Sequence, residues 1–147
     1  MLVVFPLGLL FTAVIFDIIG LVTGQATWRV VAFYDLAAGI VGALVAAVPG
    51  FVDYVSVRGR PARTATWHMV VNLTAVAIFS ASFVLRTRWA APWVAPDSSL
   101  PAGLAIVAAL VLGVGGWLGG HLVYAEAVGV DAAAAGDGRA VPRRRVA

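Results

Sequence analysis

The chain has no cysteine and no lysine, and only 12% of its 147 residues are charged, about half the roughly 25% usual for a soluble domain. Without cysteine there can be no disulfide, thiolate metal site, cysteine-ligated iron–sulfur cluster or cysteine nucleophile. His68 and His121 are therefore the only imidazole ligands on offer. Ten arginines and seven acids are too few to clothe a water-facing surface. What is present is apolar: 62% of residues are hydrophobic and the mean hydropathy is +0.99. A soluble enzyme is excluded, and a membrane protein is the class that remains.

A helix needs about 20 apolar residues to cross roughly 30 Å of hydrocarbon. Four stretches qualify, at about residues 2–22, 28–52, 65–85 and 104–124. They predict an all-α integral membrane fold, a four-transmembrane-helix antiparallel bundle. Thr23-Gly24 closes the first span, and Thr27 is the expected N-cap of the second. Ser98 and Ser99 are candidate caps of the fourth, with Pro101 in its first turn. The first span lacks a basic leader and runs straight into the second, so it is expected to remain as a helix rather than be cleaved as a signal peptide. Beyond Glu126 the chain is rich in Ala, Gly, Asp and Arg, which predicts a short disordered cytoplasmic tail, residues 127–147.

Arginines accumulate on the cytoplasmic side of membrane proteins. With both termini inside, that side holds Arg58, Arg60, Arg63, Arg139, Arg143, Arg144 and Arg145, against Arg29, Arg86 and Arg88 outside. Trp28, Trp89 and Trp93 then mark the outer interface, and Tyr54, Trp67 and Tyr124 the inner one. The run Arg143, Arg144, Arg145 reads as a topology signal able to touch anionic lipid. It is too short to argue for nucleic acid.

The second span carries Gly39, Gly42, Ala43, Ala46, Ala47 and Gly50 at helical spacing, and the fourth carries Gly113, Gly116 and Gly120 beside a stripe of Gly115 and Gly119. Such faces let helices approach closely. They can meet within one bundle, across a homodimer or in a larger membrane complex. Pro49 is expected to kink or end the second helix.

Ionisable groups inside a span are costly and each invites a functional reading. Asp17 and Asp35 fall in the outer half, where they can share a proton or cation or serve structural pairing. On the inner side, His68 and His121 are placed at similar depth, with Asp53 ending the second span and with Asn72 and Trp117 one turn from a histidine. Facing histidines suit bis-imidazole haem b ligation, with Gly116 and Gly120 leaving room for the macrocycle, while His68, His121 and Asp53 suit a divalent metal. Against both stands a structural role in holding helix ends together. Ser80 and Ser82 lie far from the histidines, which argues against a catalytic triad. The glycine runs lie within a span, not between strand and helix, which argues against nucleotide binding. Interrupted helices in repeated halves, the mark of many transporters, are missing.

Three segments are distinctive: Val4-Phe5-Pro6-Leu7-Gly8-Leu9-Leu10 running to Phe16-Asp17; Ala47-Val48-Pro49-Gly50-Phe51-Val52-Asp53; and Gly116-Trp117-Leu118-Gly119-Gly120-His121-Leu122-Val123-Tyr124 with Val128-Gly129-Val130. Together with Trp67-His68 and Asn72, they resemble the bacterial four-helix membrane proteins of domain of unknown function 2231, from about Leu2 to Asp131. The resemblance implies a multi-pass protein of the bacterial plasma membrane without an established activity. Many members carry a histidine–proline segment ahead of the stretch matching Met1 to Pro6, which would bring another imidazole to the inner side. Some are joined to Rieske-type proteins, which implies redox company. The expectation is a structural or accessory membrane component, with a redox protein holding haem or metal through His68 and His121 as the alternative.

Overall fold

The computed structural model describes residues 2–87 and 99–129. Trp89, Trp93, Arg88, Ser98 and the tail arginines lie outside the described residues. Four helices follow in order: α1 Val4–Thr23, α2 Ala26–Ser56, α3 Pro61–Thr87 and α4 Ser99–Tyr124. All four are long and apolar enough to cross a membrane, and no strand occurs among the described residues. The four-helix fold expected from hydropathy is the fold observed.

Three helix starts lie outside the apolar runs. The N-cap of α2 is Gln25, with no side-chain cap bond, and Thr27 sits inside the helix. An apolar run begins where hydrophobicity begins, whereas a helix begins where backbone bonding begins. For the same reason α3 starts at Pro61, whose missing N–H is no loss in a first turn. The α4 helix starts at Ser99, with Pro101 in its first turn as expected. Pro49 does not end α2, which continues to Ser56. Its ring points outward, where it displaces no packing partner. Between α1 and α2, Gly24 takes the left-handed conformation at φ 69° and donates its N–H to the Gly20 carbonyl, which permits a two-residue connection.

The closest packing is within two hairpins, α1 with α2 and α3 with α4. Contacts of α2 with α3 and α1 with α4 close a square, leaving α1 and α3 on one diagonal. Leu10, Ala13, Leu36, Ala75, Phe79, Ala105, Ala108 and Leu112 fill the centre. Half are alanine, so the helices lie near one another, and a single large ring, Phe79, takes up the remaining space. Stacked pairs Phe16–Trp28 and Phe33–Phe83, with centroids 5.4 and 5.0 Å apart, join α1 to α2 and α2 to α3.

Only part of each small-residue stripe is used. A side chain on Gly39 would lie 2.8 Å from Leu10, and one on Gly42 would lie 3.2 Å from Pro6. In α4 the close approach falls on Gly115 and Gly119, whereas Gly113, Gly116 and Gly120 face open space. The stripe expected to leave room beside His121 is therefore not the one that packs on α3.

Candidate functional site

Polar side chains gather at the two ends of the bundle, one bearing the α1–α2 and α3–α4 connections (the hairpin end) and the other bearing both termini (the termini end). At the hairpin end Asp17 of α1 is 2% exposed and Arg86 of α3 is 7% exposed. Arg86 donates from Nη1 to Asp17 Oδ1 at 2.7 Å and from Nη2 to Oδ2 at 2.6 Å. This parallel fork is the strongest common geometry for an ion pair. Its Nη2 also reaches Ser82 Oγ at 3.2 Å, and Ser82 donates to the Pro101 carbonyl of α4 at 2.7 Å. Three helices are tied in this way, and the ion pair crosses the diagonal between helices whose backbones do not touch. Arg86 Nε is buried without a hydrogen-bond partner.

Asp35 takes a separate partner, accepting a bond from Thr12 Oγ1 of α1 at 3.1 Å. The expected sharing of a proton or cation between Asp17 and Asp35 is not what their contacts support, because Asp17 is engaged through both oxygens by Arg86. Arg86 itself, read from sequence as an outer-loop charge, is a buried interior residue. The available signal was its spacing: Ala75, Phe79, Ser82 and Arg86 form one buried stripe on α3.

At the termini end, His68 Nδ1 lies 2.9 Å from the Gly115 carbonyl of α4. A carbonyl only accepts, so Nδ1 carries the proton. Asn72 donates from Nδ2 to the His68 carbonyl at 2.7 Å. Both side chains press on glycine backbone: a Cβ on Gly115 would lie 2.5 Å from Asn72 Oδ1, and one on Gly119 would lie 2.9 Å from His68 Cε1. The seam here is closed, and a haem between His68 and α4 would require the hairpin to open.

His68 packs on the α4 backbone between Gly115 and Gly119, so His121, two residues past Gly119, is only about 3 Å further along the axis but on another side of α4. Its side chain is 44% exposed, with Nε2 3.9 Å from Glu126 Oε1 and its ring 5.9 Å from that of Trp117. Glu126 accepts a bond from Thr64 of α3 at 2.9 Å, and its Oε2 is buried without a partner. Glu126, read from sequence as the last residue before the tail, docks back onto the bundle. Ala127, at φ 53°, makes the turn, and the Val128 N–H bonds to the Leu122 carbonyl.

Asp53 is exposed. It continues the stripe of α2 that meets α1 through Gly39 and Gly42, several residues beyond the α1 start, and so points away from the α3–α4 seam. Among the described residues no group of three His, Asp or Glu side chains is placed to hold a metal ion. The expected triad of His68, His121 and Asp53 is thus not gathered. Tyr54, beside it on α2, shares a 3.1 Å hydrogen bond with Thr66 of α3.

A family model described as "Predicted membrane protein (DUF2231)" matches residues 1–132. The chain belongs to this family. The DUF2231 match covers all four helices and both polar clusters. No curated protein and no solved structure matches the chain. For this DUF2231 member, the architecture and the family description agree on a multi-pass membrane protein of unknown activity.

Proposed function

We propose that the protein is a non-enzymatic structural or accessory component of a membrane complex in the bacterial plasma membrane, with both termini in the cytoplasm. The observation that carries this reading is that four of the polar side chains singled out within the spans are used inside the chain: Asp17 by Arg86, Asp35 by Thr12, His68 by Gly115 and Asn72 by His68. Polar groups spent on joining helices do not line a reaction site. The partner is a second copy or another membrane protein, reached from the exposed apolar faces of α2 and α4.

The orientation gains support from Arg86, which is neutralised by Asp17 and therefore drops out of the loop count. Arg29 and Arg88 then stand against seven arginines on the termini side. The lack of native cysteine makes the test simple. Gln25→Cys is expected to react with a membrane-impermeant maleimide in intact cells, and Ser56→Cys only after permeabilisation. The reverse pattern overturns the orientation.

For function, the protein is purified in mild detergent after cross-linking in the native membrane, and its absorption spectrum and metal content are measured. A defined cross-linked membrane partner and a colourless, metal-free protein are expected. A near-stoichiometric Soret band or bound metal, lost in His68→Ala and His121→Ala, would overturn the accessory reading in favour of a redox centre.

A further inference from the structure

We propose that the α2–α3 connection and the first turns of α3 form a docking surface for anionic phospholipid headgroups. Arg58 and Arg60 lie in the connection, and Arg63 lies in the first turn of α3. All three are exposed, and none forms an ion pair among the described residues. The turn that carries them is tight: Gly59 adopts φ 77°, and its carbonyl accepts the Ala62 N–H at 3.2 Å. Three arginines are therefore carried on a short arc of backbone.

That arrangement is unfavourable on its own. The positive end of a helix disfavours cations, and the first turn of α3 contains no acid to offset them. The carboxylates in this part of the molecule do not compensate. Glu126 is engaged by Thr64, and Asp53 lies on the α1 stripe of α2. An anion from outside the chain relieves the repulsion.

The surroundings select a lipid as its source. Trp67 stands four residues after Arg63, on the same side of α3, and is 55% exposed; Val55 and Val70 nearby are also exposed. Arginine heads, an indole and then aliphatic side chains follow one another along the helix, in the order phosphate layer, interface and acyl chain. A soluble anion would use the arginines and leave the indole and valines unexplained.

The test uses the full chain in phosphatidylcholine nanodiscs with increasing phosphatidylglycerol, lipid retention being read by native mass spectrometry. Preferential retention of phosphatidylglycerol is expected, weakened roughly fivefold by each of Arg58→Gln, Arg60→Gln and Arg63→Gln and abolished in the triple variant. The triple variant's melting temperature in pure phosphatidylcholine serves as the folding control. Should it fail to fold, the graded single variants decide. Equal retention of both lipids by the wild type, selectivity unchanged in the loop variants, or selectivity lost only with Arg143→Gln, Arg144→Gln and Arg145→Gln would overturn the proposal. Displacement of phosphatidylglycerol by millimolar inorganic phosphate would likewise overturn it, by showing a free-anion site.

Discussion

The two ends of the bundle solve the same problem with opposite materials. At the hairpin end a full charge pair is buried, and long side chains reach across the diagonal from α3 to α1. At the termini end the joining groups are short, partly exposed and seated on glycine backbone. The first arrangement tolerates distance between helices but not the loss of a partner, because a buried charge left alone is costly. The second tolerates loss of a hydrogen bond but not added volume, because its helices are already in contact.

Breaking the ion pair should have the largest effect. Asp17→Ala leaves Arg86 buried and uncompensated and is expected to cost about 3–5 kcal/mol, whereas Asp17→Leu combined with Arg86→Met should regain most of it. Thermal unfolding in detergent checks both, and an additive double variant would contradict the pairing. Next comes added volume: Gly115→Ala is expected to cost about 1–3 kcal/mol by driving a methyl group into Asn72. Gly116→Ala, on the open stripe, should be neutral or gain up to about 1 kcal/mol in the same assay. Equal responses would erase the distinction between the stripes.

The histidines sharpen the comparison further. His68→Ala loses the bond to Gly115 and should destabilise by roughly 1 kcal/mol, while His121→Ala should have a smaller effect on the melting curve. A larger effect at His121 would make its contact with Glu126 the true fastening of this end. The smallest expected change is a gain: Ala127→Gly relieves a left-handed alanine and should raise stability by up to about 1 kcal/mol.

The four helices were legible because hydropathy responds to the solvent each span meets, and every span here meets lipid. Two of their starts were less so, since Ala26 and Pro61 are helical through backbone bonding that apolar runs do not report. Asp17 and His68 were legible as polar residues in costly places, but the arginine that partners Asp17 was not. Arg86 carries the same letter as a loop arginine, and its burial depends on α1 lying opposite, a fact of three dimensions. The metal triad failed for a related reason. Asp53 is near His68 in apparent depth, yet helical phase turns it toward the α1 side. Gly115 and Gly119 could be distinguished from Gly116 and Gly120 only once the rotation of α4 about its axis was known.

The diagonal ion pair also joins a part of the chain made early to one made late. Its members are 69 residues apart in the chain, a gap that takes roughly 3–14 s to translate at 5–20 residues per second. During that interval α1 and α2 leave the ribosome as a hairpin whose deepest-buried carboxylate has no counter-charge. Placing that hairpin in lipid before the end of α3 is made carries the cost of an unpaired intramembrane carboxylate, and the arginine near the end of the third helix removes that cost.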